Sequence, residues 1–281
     1  MTDPIQVDEL DHGVFALSDP LGCRSYLVVG ERRAALVDTM SGVGDVRAVA
    51  KALAGGQPVD VLLTYRHPDH ASGAYRFERV AMTAGEDGHW EETEKNASAF
   101  CVAALDGGLI ETANVWPVRP QRRPRVTHVG EKDRLDLGGL SLTRVLLPGH
   151  TNASAGYLCP ERAVLFSGDA VRPIMCLRFE ESLPLSAWRR ALAKMEGLDF
   201  ERFYTGHHAH AFCKADLASF DKAARFAQGA RGFAWQHGIV DSWTGICHLC
   251  PCKTYDAGSP DFRAVITAPG ERSARLARVP Y

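Results

Sequence analysis

Two histidines and an aspartate crowd four positions of the stretch LLTYRHPDHASGAY (residues 62–75). His67, Asp69 and His70 follow an apolar run there, with Tyr65 two residues ahead of His67. Imidazole nitrogen and carboxylate oxygen together suit Zn, Fe, Mn or Ni, and a catalytic ion must keep at least one position for water. Three groups of the same kind stand further along: His150 in PGHTNAS (148–154), Asp169 in SGDA (167–170) and His207 in TGHH (205–208). Any one of these histidines alone is more often structural than a ligand. Their joint placement, each at a strand end or just past one, is what points to a metal centre, because α/β sheets place ligands at such ends.

The elements that must deliver these groups are legible from periodicity and turn residues. GVFALSD, CRSYLVVGE and RAALVDTM are short apolar runs closed by Gly, Asp or Ser, and predict an antiparallel meander. DVRAVAKALAGG carries helical spacing, Asp45 as its cap and a glycine pair as its stop, and VDVLLTY is then a buried strand ending at the cluster. EETEKNASAFCVAALDGG predicts a second helix. Strands resume with RVTHVG, DRLDLGG, LSLTRVLLPGH, SAGYLCP and RAVLFSGDA, followed by the amphipathic helix SAWRRALAKMEGLDF, with Ser186 as cap, and the strand ERFYTGHH. The two halves read as an imperfect duplication, two sheets packed on each other with helices outside. Beyond residue 213, ADLASFDKAARFAQGARGFAWQHG predicts one helix, or a helix broken near Gly229. TGICHLCPC with FRAVITA predicts a hairpin.

Composition bounds the partners. The chain has 281 residues, 46% hydrophobic and 23% charged, and a formal net charge of −2. That is ordinary for a globular protein and offers no general attraction for nucleic acid or an anionic membrane. The arginine run RPQRRPR (119–125), broken by two prolines, reads as a connecting loop. No stretch reaches the roughly 18 apolar residues of a membrane span, and MTDPIQVDELDHG lacks the apolar core of a secretory signal. The expectation is a cytoplasmic protein with reduced thiols, since eight irregularly spaced cysteines in a chain this long do not form a disulfide framework.

The four motifs, in this order, resemble those of the metallo-β-lactamase superfamily: an H-x-H-x-D-H box after a strand, a P-G-H-T-x-x-S segment, a G-D turn and a final G-H. The resemblance covers residues 10–212 and implies an α/β fold, a four-layer αββα sandwich with the site at one edge of the sheets. A domain over 1–213 is expected, and 214–281, where the pattern changes with no Gly/Ser- or Pro-rich linker between, reads as a C-terminal extension packed on it. Carried over residue by residue, a first metal site takes His67 and His150, a second takes Asp69, His70 and His207, and Asp169 bridges them. The departure is Tyr65, which stands where the family has its first histidine. Three roles stay open for it: a phenolate ligand, which needs a strong Lewis acid because the free phenol has a pKa near 10; a hydrogen-bond donor to water or a substrate oxyanion; or a space-filling residue beside a single-ion site.

The activity implied is metal-dependent hydrolysis of a small ester, thioester or lactone by a metal-bound hydroxide. One or two divalent ions are expected, zinc first, with iron or manganese as alternatives. Asp69 and Tyr65 are the catalytic candidates, and Tyr65, Arg172, Met175 and Phe179 the substrate-binding ones. The partner is then a small molecule, with no nucleic acid or membrane, and a homodimer is allowed. The alternatives are an iron-binding oxidoreductase using oxygen or persulfide, and a metal-binding protein without catalysis. The loop at 83–95, carrying His89 and Trp90, is a candidate lid as well as an ordinary surface loop. Cys247, Cys250 and Cys252 in CHLCPC have half the ligands of a structural zinc site, and packing thiols are the simpler reading.

Overall fold

The computed structural model describes residues 4–88, 90–111, 122–229 and 231–269. Gln6–Asp11 (β1), Val14–Ser18 (β2), Arg24–Val29 (β3) and Ala34–Val37 (β4) form the antiparallel meander. Helix α1 (Val46–Leu53) follows, its first turn capped by the Asp45 carboxylate, which accepts from the Ala48 N–H. Val59–Leu62 (β5), Arg79–Met82 (β6) and Arg125–His128 (β7) then add in parallel, so this sheet runs in chain order. Between β5 and β6 lie the short helix α2 (Pro68–Ala71) and a 3-10 turn at Ser72–Arg76, and α3 (Trp90–Asp106) precedes β7.

The second sheet begins as another meander, Arg134–Asp136 (β8), Ser141–Leu146 (β9), Ala155–Cys159 (β10) and Val164–Gly168 (β11). After Ile174–Leu177 (β12) and helix α4 (Leu185–Glu196), strand β13 (Arg202–Thr205) returns parallel to β11, and Phe212–Cys213 (β14) closes the sheet. Helix α5 (Leu217–Gly229) leads to Phe233–Gln236 (β15), Thr244–Leu249 (β16) and Ala264–Thr267 (β17). These three strands form a third sheet with β12, in the order β12-β17-β16-β15.

Strand alternation decides the layers. Tyr26 and Val28 of β3 face Tyr157, Phe166 and Tyr204 of the second sheet, while Leu27 between them turns out against α1 with Val46 and Ala50. Outside the second sheet, Leu165 and Phe203 meet Trp188 and Leu192 of α4 and Phe220 and Ala224 of α5. Each of the Val, Leu and Phe side chains among these, fully buried, contributes roughly 1.5–3 kcal/mol. The result is helix, sheet, sheet, helix.

Several details differ from the sequence reading. Strand β1 carries too many charged residues, and β6 is too short, to stand out by apolar alternation. Phe233–Gln236 is a strand and not the continuation of α5, because Gly232 brings the chain against β16, where an added Cβ would meet Ile246 Cγ2 at 2.3 Å. Ser186 lies inside α4, whose N-cap is Pro184. The boundary drawn at residue 213 is crossed by a sheet, since β17 pairs in parallel with β12. His89 and residues 112–121, which include the first half of the arginine run, lie outside the described residues. Trp90 packs on Tyr75 at 5.5 Å between ring centres, in a cluster with Val61 and Met82. Among the described residues no helix is long and apolar enough to cross a membrane.

Candidate metal centre

The first sheet changes from antiparallel to parallel pairing at β4 and β5, the second carries one parallel pair, β11 and β13, and the chain turns that follow these strands converge. Asp38 follows β4, Tyr65 to His70 follow β5, Asp169 follows β11 and His207 follows β13. The turns are tight. Gly168 has a φ of 52°, and a side chain there would strike Thr64 Oγ1 at 2.4 Å. Gly206 lets the last loop close over the site, where a Cβ would fall 2.3 Å from His70 Cε1 and 2.7 Å from Asp169 Oδ1.

Asp69, His70, Asp169 and His207 offer one ligand atom each, all within 4.8 Å of one another. His207 Nε2 lies 3.2 Å from Asp69 Oδ2 and 3.4 Å from Asp169 Oδ2, and His70 Nε2 lies 3.5 Å from Asp169 Oδ1. Asp69 Oδ1 and Asp169 Oδ1 are buried with no hydrogen-bond partner. An orphaned carboxylate oxygen in a protein interior is costly unless a cation meets it. These four residues therefore fit a divalent ion. Their electrostatics agree with that fit. Burial opposes ionisation of Asp169, yet Arg172, then His207 and His70, pull its carboxyl well below the usual range. Burial likewise opposes a charged His70 ring, but Asp38, Asp169 and Asp69 drive its pKa well above normal. Three buried carboxylates around one imidazole make a place for positive charge.

Asp38 belongs to none of the sequence motifs. Its Oδ2 lies 2.7 Å from His70 Nδ1, and its carboxylate also accepts from the Thr64 N–H and hydroxyl. It thereby fixes the ring so that Nε2 faces the other ligands, the usual arrangement behind a metal-binding histidine. Its φ of 63° is the left-handed conformation that non-glycine residues adopt mainly where surroundings impose it. An aspartate ending a buried strand, just past β4 as Tyr65 is just past β5, was the available signal.

His67 and His150 stand apart from this group. His150 Nδ1 lies 2.6 Å from the Cys176 carbonyl and His67 Nε2 lies 2.8 Å from Glu181 Oε1, so the outer nitrogens donate to acceptors. The inner nitrogens, His67 Nδ1 and His150 Nε2, face each other at 3.1 Å. Tyr65 is fully buried beside them, its ring centre 4.8 Å from each of these imidazoles and 4.5 Å from His70, and its hydroxyl has no partner. Among the described residues no carboxylate joins His67 and His150 in a ligand group, because Asp169 Oδ2 is held by the Arg172 guanidinium. The residues present do not make a three-ligand site there.

Of the substrate-facing candidates, Phe179 packs edge-on against His67 at 4.4 Å and Arg172 lies at the centre itself. Met175 does not line a pocket. Strand alternation turns it inward, fully buried with Val171, Trp188 and Val265. Trp243, from the turn between β15 and β16, covers Phe179 and His67 at 5.0 and 6.0 Å, a contribution of the C-terminal segment that the sequence did not reveal. The thiols of Cys247 and Cys250 are buried in different apolar clusters, and burial pushes each up to about 11. They are packing groups, protonated at neutral pH.

Glu181 ties the His67 side together, accepting from His67 and pairing with Arg66 at 3.0 Å. Burial raises its pKa, but His67 and Arg66 outweigh that and hold it at about 2, against an ordinary 4.5. A folded-state value below the unfolded one stabilises the fold above the unfolded value, and that stability is lost as pH falls from 4.5 towards 2. Allowing for partial solvent screening, the metal-free chain should thus exceed its Glu181→Gln variant by about 1–3 kcal/mol near neutral pH, and the gap should close by about pH 2. Urea unfolding of both proteins across that range checks it, and a gap independent of pH would assign the loss to packing.

The centre is that of a metal-binding αββα protein, and comparison with known proteins agrees. A sequence profile described as the Metallo-beta-lactamase superfamily matches residues 18–207. The chain belongs to that superfamily. It is 29% identical over 161 residues to Acyl-coenzyme A thioesterase MBLAC2 of Gallus gallus, covering 52% of this chain and 56% of that one. It is 26% identical to Hydroxyacylglutathione hydrolase of Acidiphilium cryptum, covering 73% of each. The chain thus spans little more than half the length of the thioesterase. Among solved structures it is similar to a metallo-beta-lactamase family protein from Thermus thermophilus, with a TM-score of 0.57, 25% identity and coverage of 77% of this chain and 81% of that one. It shares the fold of a metallo-beta-lactamase from Pontibacter korlensis at a TM-score of 0.58, with 15% identity and coverage of 79% and 99%.

Proposed function

We propose that this protein is a metal-dependent hydrolase of small thioesters. The observation that carries the reading is the group Asp69, His70, Asp169 and His207, three of them buried and His207 partly so, with two carboxylate oxygens left unpartnered and an unpartnered phenol alongside. A divalent ion held by these residues, zinc in our assignment, supplies Lewis acidity and brings the pKa of water from about 15.7 towards 7. The protein's own part is to place groups around the reacting carbonyl. Asp69 Oδ1 is free to take the hydrogen bond of an attacking water and aim its lone pair. The Tyr65 hydroxyl is free to donate to the oxygen that becomes negative, a contribution typically worth about 3–4 kcal/mol for such a donor. Phe179 and Trp243 form an apolar wall beside His67 that suits the carbon chain of an acyl group and keeps bulk water from the reaction.

The names of two relatives, an acyl-coenzyme A thioesterase and a hydroxyacylglutathione hydrolase, support thioesters ahead of oxygen esters and lactones. The test is release of free thiol, followed with a thiol-reactive dye, from acyl-coenzyme A and acyl-glutathione thioesters, with a matching oxygen ester for comparison. Thiol release that a chelator removes and zinc restores is the expected result. A chelator-insensitive rate, or none above background with the ion bound, would overturn the assignment.

A further inference from the structure

We infer that this chain holds one divalent ion and not two, with the Arg172 guanidinium occupying the place of the second positive charge. The inference rests on the metal-hydrolase reading and concerns the same centre. Among the described residues, Asp169 is the carboxylate placed to be shared between the His70/His207 group and the His67/His150 pair, and its Oδ2 is already taken by Arg172. Its Oδ1, facing His70, remains for the ion bound by Asp69, His70 and His207.

The His67/His150 pair is left with too few ligands. Its two inner nitrogens, which carry the lone pairs once the outer nitrogens donate, converge at 3.1 Å and offer two ligands only. Catalytic zinc sites take three protein ligands, and the third here would have to be Tyr65. Its hydroxyl is buried without a hydrogen-bond partner, and no imidazole stands at this position to complete a three-histidine set. Its ring also fills the space between His67, His150 and His70, while Phe179 covers the far face of His67. A second dication would further stand beside a part-buried guanidinium whose ion pair, among the described residues, is with Asp169 alone, and the like charges repel. Arg172 and Tyr65 together therefore convert a two-ion arrangement into a one-ion arrangement with a permanent internal cation.

The two obstacles can be removed. Tyr65→His restores a third imidazole, and Arg172→Ala releases Asp169 Oδ2. Wild type, His150→Ala and the Tyr65→His/Arg172→Ala double variant are equilibrated with excess zinc, freed of loose metal by gel filtration, and analysed by elemental mass spectrometry. One ion per chain is expected in wild type and in His150→Ala, and two in the double variant. Two ions in wild type, falling to one in His150→Ala, would overturn the inference and leave the hydrolase reading intact. No ion in wild type would overturn both. A folded double variant that still binds one ion would remove Arg172 and Tyr65 as the cause. If that variant does not fold, the wild-type and His150→Ala counts decide the inference alone.

Discussion

Asp69→Asn is expected to lower metal-dependent thioester hydrolysis by about 10³-fold or more, within the range of losing a well-placed proton acceptor, and to weaken the ion at the same time. The amide has the shape of the carboxylate but neither its charge nor its second acceptor oxygen. Asp69 Oδ2 lies 3.2 Å from His207 Nε2, and Oδ1 is buried without a partner. In the variant one of these positions becomes an NH2 donor, which cannot ligate and which leaves the water of the reaction without its acceptor. The two losses separate by measurement. An ion present at about 100 times its dissociation constant stabilises the fold by about 2.7 kcal/mol, so wild type should melt higher with zinc than without. Asp69→Asn should lose most of that increment while its metal-free melting stays cooperative. Full activity in the variant would remove Asp69 from the chemistry. A full zinc-dependent shift with activity lost would assign Asp69 to the water alone.

What the sequence makes legible about this centre is what sits locally. His67, Asp69 and His70 fall within one turn after a buried strand, and the pairs Gly149–His150, Gly168–Asp169 and Gly206–His207 mark the turns after β9, β11 and β13, so six candidate positions could be read from short motifs. What escapes is whatever depends on pairing across the chain. Asp38 meets His70 only because β4 and β5 run side by side. Glu181 meets His67 only because the segment after β12 folds back over the turn that follows β5. Arg172 could be placed near the site from its position three residues after Asp169. That it spends its charge on that same aspartate, and so changes the ion count, is a matter of side-chain direction. Met175 shows the same limit from the other side: a single position along a strand separates a residue facing the site from one facing the core. The short C-terminal strands were ambiguous for a related reason, since Phe233–Gln236 has no polar alternation of its own and becomes a strand through its pairing with β16.

Trp188 joins that packing to the chemistry, and its removal is the second large effect to expect. The side chain is 1% exposed in the cluster between the second sheet and helices α4 and α5. Its indole N–H donates to the Ala170 carbonyl at 3.0 Å, one residue past Asp169. Its Cβ would lie 3.2 Å from a Cβ built on Gly149, one residue before His150, so the loop carrying His150 lies flat on α4 at this point. Trp188→Ala should cost about 3–5 kcal/mol, the range for truncating a large buried aromatic residue. It should also loosen both loops, lowering zinc affinity beyond what the stability loss of a still-folded protein explains. Trp188→Phe retains most of the buried area but leaves the Ala170 carbonyl without its donor, a loss of about 1–3 kcal/mol. Urea unfolding of the metal-free proteins, paired with zinc titration under conditions where each is folded, distinguishes the two effects. If Trp188→Phe binds zinc as wild type does, packing alone holds the loops. If it binds more weakly while staying folded, the hydrogen bond to Ala170 is what sets the position of Asp169. An alanine variant within about 1 kcal/mol of wild type would fall well short of the usual cost of such a cavity and would show that the loops are held from the sheet side, through Gly168 and Thr64, and not from the helix.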